Sequence, residues 1–287
     1  MNNLKTTFLL AALTGVLMAI GGIVGGKSGV GFMLIISLVM NLGSYWFSDK
    51  LVLSMYGARE ITADQGPDLF NMVSNLAHRA NLPMPRVYII DSDVPNAFAT
   101  GRSPHYGVVA VTSGIMQTLN YDELSGVIAH ELAHIKNRDT LISTIVASIA
   151  GVITWVAQMA QWSAFLGMGN QNNDEDRGSS IIGTLFTIIL APLAATLIQL
   201  GISRSREYLA DQIGGVISNN PLALASALEK IDYYAQHKVL PSSTPSTSHL
   251  FIINPLSGTG SWMMNLFSTH PSTTERVARL REQANQR

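Results

Sequence analysis

The stretch His130-Glu131-Leu132-Ala133-His134 decides how this chain is read. On a helix, positions i and i+4 share a face, so His130 and His134 can each turn a ring nitrogen toward one metal ion. Glu131 sits beside the first histidine, where its carboxylate reaches a water in the site rather than the metal. The segment carries its own helix signals. Leu124, Val127, Ile128 and Leu132 recur at helical spacing, and Asn120 with Glu123 forms a capping pair at its start. The plain alternative is two histidines on a solvated helix face, and the neighbouring sequence has to decide.

Composition frames that decision. The chain has 287 residues, 13% charged and 47% hydrophobic, and its mean hydropathy is positive. That is too apolar for an ordinary soluble domain. A net charge of −1 gives no electrostatic reason to expect a nucleic acid partner. With no cysteine there is no disulfide framework and no thiolate metal site, so any zinc is held by His, Asp and Glu.

Working outward, four uncharged runs flank the motif. Thr6 to Gly26 is long enough to cross a bilayer core; a signal peptide behind Lys5 is the alternative. A second run, Ser28 to Ser48, follows after the tight connection Gly25-Gly26-Lys27 and ends in Tyr45-Trp46-Phe47, an aromatic group suited to the membrane interface. Beyond the motif, Thr140 to Asn173 is uncharged, Asp174 to Arg177 breaks it, and Gly178 to Ser203 is uncharged again, with a kink expected at Pro192. Helices buried in a soluble protein are the alternative; four such runs together favour the membrane. They divide the chain into a transmembrane hairpin (1–48), a catalytic part (49–139), a second hairpin (140–203) and a helical C-terminal part (204–287). Lys5, Lys50, Lys136, Arg138, Arg204 and Arg206 cluster on one side, which places both termini and the catalytic part in the cytoplasm.

Within 49–139, Gly66 to Ala80 reads as an amphipathic helix. Arg86–Ile90, Ala97–Thr100 and Val108–Thr112 read as strands, the last two joined by Gly101-Arg102-Ser103-Pro104. A strand just before the metal helix can present an open edge that grips an extended peptide; a sheet that only packs on the helix is the alternative. In the last part, Leu222 to Tyr234 reads as a helix, 241–248 as a flexible Ser/Thr/Pro stretch and 250–253 as a short strand. Ser272 and Glu275 cap a closing helix.

A catalytic zinc takes three protein ligands and leaves one position open. No histidine follows at the longer H-E-x-x-H-x-x-G-x-x-H spacing, so the third ligand is sought among downstream acids. Glu207 and Asp211 stand at i, i+4 just past the fourth run. One of the two can bind zinc while the other accepts the N–H of a ligand histidine, unless they form a surface pair with Arg204 or Arg206.

These residues carry a resemblance. His130 to His134, Arg206-Glu207-Tyr208-Leu209-Ala210-Asp211, His270-Pro271, Glu275-Arg276 and Asn96-Ala97-Phe98-Ala99-Thr100-Gly101 resemble the HtpX membrane metalloproteases, relatives of the CaaX prenyl proteases, over nearly the whole chain. The resemblance implies a bacterial inner-membrane zinc endopeptidase with one Zn2+ per chain. It implies an α+β, mainly α fold: an integral membrane protein with four transmembrane helices and a zincin-like cytoplasmic catalytic domain. Its substrates would be misfolded or membrane proteins in envelope quality control, and its partners the lipid bilayer and those polypeptides. It further implies Glu207 as third ligand, Asp211 behind a histidine, and Asn96, Ala97, Phe98, Ala99 and Thr100 as a substrate-binding edge. His270 or Arg276 would stabilise the oxyanion. Asp139, just before the third run, is a candidate outer group. Glu131 would take a proton from the attacking water and return it to the leaving amine. A prenyl-peptide protease and a non-catalytic scaffold with a structural zinc are the rival readings. The scaffold has no use for a base at Glu131.

Overall fold

The computed structural model describes residues 2–140, 204–237, 252 and 271–286, with some side chains of the first helix outside that description. The elements are α1 (Asn2–Met55), β1 (Arg59–Ile61), α2 (Pro67–Ala80), β2 (Arg86–Ile90), β3 (Ala97–Thr100), a 3-10 turn (Pro104–Tyr106), β4 (Val108–Thr112), α3 (Ser113–Thr118), α4 (Tyr121–Asn137), α5 (Arg204–Ser218), α6 (Pro221–His237) and α7 (Thr273–Asn285). This is a mainly helical α+β chain around one small sheet.

The three strands expected from sequence form at the expected bounds. A fourth, β1, completes a sheet of order β1-β2-β4-β3. β1 and β2 run antiparallel, β2 and β4 parallel, and β4 and β3 antiparallel, with Ala97 opposite Val111 and Thr100 opposite Val108. Among the described residues β3 is therefore an edge strand. Both faces of the sheet are covered, which is why β4 reads as an unbroken apolar run. Val87, Ala97, Ala99, Val109 and Val111 pack toward α2 and α4. On the other face Tyr88, Ile90, Phe98, Val108 and Ala110 pack under Val52 and Leu53 of α1. α1 thus continues past Ser48, where the uncharged run stops, because its last turns carry apolar side chains onto the sheet.

Near its middle α1 doubles back. In a straight helix residues eight apart are about 12 Å apart. Here a Cβ on Gly21 or on Gly29 would run into the other's backbone carbonyl, and Gly26 takes the left-handed conformation, φ 56°. The turn sits in the Gly25-Gly26-Lys27 connection read from sequence. Among the described residues no helix is long and apolar enough to cross a membrane. Residues 141–203 lie outside the description, as do 241–248 and, apart from Ile252, the short strand expected at 250–253.

α4 runs through the centre. Asn120 Oδ1 accepts from Glu123 N and Glu123 Oε2 from Asn120 N, both at 2.9 Å, a complete capping box. The same buried carboxylate takes the Ser226 hydroxyl and the Lys230 ammonium of α6, each at 2.7 Å, so the cap also fastens the neighbouring helix. The sequence suggests one apolar stripe. The structure instead buries α4 on almost every side, including Gly126, Ala129 and Ala133. Small residues at those positions let α5 and α6 come close.

Candidate metal centre

His130 and His134 lie on one face of α4, one turn apart, with Nε2 atoms 3.2 Å from each other. Glu207, in the first turn of α5, brings Oε2 to 3.7 Å from His130 Nε2 and Oε1 to 3.5 Å from His134 Nε2. These three residues form a cluster that could hold a metal ion. A tetrahedral zinc with bonds of about 2.0–2.1 Å separates its ligand atoms by roughly 3.3 Å, so the triangle fits that ion. Both other ring nitrogens face carboxylates. His130 Nδ1 lies 2.9 Å from Asp211 Oδ1, and His134 Nδ1 lies 3.5 Å from Asp139 Oδ2. Outer carboxylates of this kind orient a ligand histidine and strengthen it as a donor.

The approach of α5 to α4 sets this geometry. Gly214 lies two turns beyond Glu207 and one beyond Asp211, and a Cβ on it would stand 2.9 Å from His130 Cα and N. Sequence reading passes over Gly214. Its signal was there: a glycine pair inside a helical segment, in phase with the two acids.

Arg276 of α7 is buried. Its Nε and Nη2 donate to the two oxygens of Asp211 at 2.8 and 2.7 Å, and Nη1 donates to the carbonyl of Ile252 at 2.9 Å. Nη2 also stands 3.9 Å from Glu207. All its nitrogens are engaged inside the protein. Arg206, read from sequence only as a surface partner, reaches within 3.8 Å of Asp139 instead. Each histidine is thus backed by an acid, and each acid by an arginine. His270 lies outside the described residues.

Glu131 is 5% exposed. Burial pushes its carboxyl up to about 7, Glu207 adds to the rise, and His134, the Ala99 backbone N–H and Arg276 work against it. In the metal-free site burial opposes charge on His134, but Asp139, Glu207 and Glu131 overcome this and raise it to about 9. Burial lowers His130, against the pull of Asp211. For Asp211 burial alone would raise the pKa; Arg276 and His130 hold it low.

β3 passes directly beside Glu131. Thr112 N donates to Asn96 O at 3.0 Å, so the alternation of an antiparallel ladder turns the backbone groups of Phe98 and Thr100 toward β4 and those of Ala97 and Ala99 to the side away from it. The Ala99 N–H meets the Glu131 carboxylate. Asn96 itself is buried, and its Oδ1 accepts the Ile252 N–H at 3.2 Å.

The model of peptidase family M48 matches residues 63–284. A protease HtpX homolog of Syntrophobacter fumaroxidans is 54% identical over 277 residues, 96% of this chain and 98% of that protein. Those of Aquifex aeolicus and Pyrococcus furiosus are 54% and 51% identical, covering 95% and 97% of this chain and 90% and 94% of their own. Among solved structures, the crystal structure of S. mikatae Ste24p matches with a TM-score of 0.50 at 17% identity, over 97% of this chain and 65% of that one. At that identity the likeness speaks for the fold alone.

Proposed function

The chain belongs to peptidase family M48, with HtpX proteases as relatives at about half identity, and from that premise we propose a zinc endopeptidase that cuts polypeptides at the cytoplasmic face of the cell membrane. The observation that carries this is the triangle of His130, His134 and Glu207, buried but for the partly exposed His134, with Glu131 beside it. When bound, zinc supplies a Lewis acid that acidifies a water and polarises the scissile carbonyl.

The chain's own residues do the rest. His130, His134 and Glu207 hold the ion; Asp211 and Asp139 orient the two rings. Glu131, buried beside the cluster, takes the proton of the attacking water and delivers it to the leaving amine. Arg276 positions Asp211, and His270 is left as the side-chain donor for the developing oxyanion. Ala97 offers its outward N–H and carbonyl, and Ala99 its carbonyl, to an extended substrate, a mode in which main-chain hydrogen bonds supply affinity; the Ala99 N–H is engaged by Glu131. The four uncharged runs support four spans, and the return of α1 at Gly26 supports the first two as a hairpin.

The test uses the full chain in detergent. It should purify with one zinc and cleave an unfolded test protein; a chelator should stop cleavage and added zinc restore it. Metal-free protein that cleaves at full rate would overturn the proposal. Reporter fusions at 170–178 and at the C-terminus check the orientation, and a cytoplasmic signal from 170–178 would overturn it.

A further inference from the structure

Arg102 has no part in the metal centre. It lies in the loop after β3, and its guanidinium carbon stands 4.5 Å over the Trp46 ring and 3.8 Å over the Tyr106 ring. The side chain is half-buried, and no ion pair to it occurs among the described residues. The nearest acid along α1, Asp49, is taken by Arg86 at 2.7 Å. Two rings beside a guanidinium offer its N–H groups no lone-pair partner, and those groups match a phosphate in bidentate geometry. One turn beyond Trp46, the exposed Lys50 stands 5.7 Å over Phe47, a second cation on an aromatic ring.

The loop is held stiffly. Gly101 sits at φ 122°, where a Cβ would strike the Tyr106 carbonyl, and Tyr106 N donates to Ser103 O at 2.9 Å. It also touches both places where uncharged runs meet the catalytic part. Trp46 closes the second run, and the Thr140 hydroxyl, at the start of the third, donates to Gly101 O at 2.9 Å. Trp46 and Tyr106 are 51% and 52% exposed, placed as amphipathic rings are at a headgroup layer.

We propose that Arg102, beside the rings of Trp46 and Tyr106, binds the phosphate of an anionic phospholipid headgroup and so pins the end of β3 to the bilayer surface. The inference rests on the membrane reading above. It makes the substrate edge a surface of fixed height, two residues from lipid.

The test takes the full chain in detergent and measures binding of dioctanoyl phosphatidylglycerol by native mass spectrometry. Arg102→Ala should bind about tenfold more weakly than wild type, and Arg102→Lys, which keeps charge but not the fork, should fall between. Zinc content of both variants should match wild type, which shows that they fold. Millimolar inorganic phosphate should not displace the lipid; displacement would mean a soluble-anion site and overturn the proposal. Equal lipid binding by wild type and Arg102→Ala would overturn it as well. Failure of the membrane reading looks different: the wild type would stay dispersed without detergent and bind no phosphatidylglycerol vesicle.

Discussion

Substituting Gly214 by alanine tests whether the α4–α5 distance controls the metal site. The new Cβ would stand 2.9 Å from His130 Cα and N, whereas carbon atoms rest at about 3.5–4.0 Å. The two helices must part by roughly 0.6–1.1 Å. Asp211 and Glu207 share that face of α5, so they retreat with it. The 2.9 Å approach of Asp211 to His130 then passes beyond hydrogen-bond reach, while metal–ligand bonds tolerate only about ±0.2 Å. Overpacking costs about 1–3 kcal/mol, and helix propensity returns about 1 kcal/mol of it, so the fold survives. Zinc affinity should fall about 10–100-fold, the usual effect of losing an outer partner of a ligand. The assay is competition with a chromophoric chelator, beside a thermal melt of the metal-free protein. Gly215→Ala is the matched control, because its Cβ would meet the end of the Gln283 side chain at 2.8 Å and Pro221 Cβ at 3.0 Å, a comparable crowding that touches no residue of the metal cluster. Wild-type zinc affinity in Gly214→Ala, or an equal loss in Gly215→Ala, would refute the reasoning.

Glu131→Gln should abolish cleavage while one zinc is retained, since three ligands remain; Glu207→Gln should lose metal and activity together, and Asp211→Ala about 10–100-fold of either. Metal analysis beside a cleavage assay separates the three, and zinc loss in folded Glu131→Gln would remove Glu131 as the base. Proline at Ala97 removes an outward N–H and should raise KM with zinc retained; proline at Ala99 also takes an N–H from Glu131 and should lower kcat as well; proline at Phe98 breaks the ladder to β4 and should melt the strand. Equal kinetics in folded Ala97→Pro and wild type would sink the edge-strand assignment. Because His134 in the metal-free site is raised to about 9, zinc must displace about one proton, and apparent affinity should climb about tenfold per pH unit from 7 to 9 and then level off. The same shift stabilises the metal-free fold fully below the ordinary histidine pKa of about 6.5 and is lost as pH rises through about 9, so its melting point should fall over that range. A zinc affinity flat from pH 7 to 9 would contradict both.

How far the chain could be read depended on whether a feature is local. The strands at Arg86–Ile90, Ala97–Thr100 and Val108–Thr112 announce themselves by unbroken β-branched and apolar runs between prolines and glycines, and the caps at Asn120 and Ser272 by a polar residue three before a glutamate. β1 is three residues, two of them charged, and exists only because β2 lies beside it. α3 starts where Thr112 Oγ1 accepts from Ile115 N at 3.1 Å, but that threonine also reads as a strand end. For the site, periodicity pairs His130 with His134 and Glu207 with Asp211, but the identity of each carboxylate's partner is a distance across two helices. Spacing along the chain carries no such distance, and Arg206 and Gly214 acquire their positions only from it.

The contact at Ile252 has a thermodynamic consequence. Its N–H is held by Asn96 at the start of β3, and its carbonyl by Arg276, which in turn grips the acid behind His130. One residue therefore joins the strand that would order a peptide to the ring that would order an ion. If peptide binding tightens β3 against Asn96, the ion must be bound more tightly by the same factor, and loading the ion must raise peptide affinity equally, since coupling between two binding equilibria is reciprocal. Ile252→Pro, which removes the N–H and leaves the carbonyl, would erase that common factor while each ligand still binds alone.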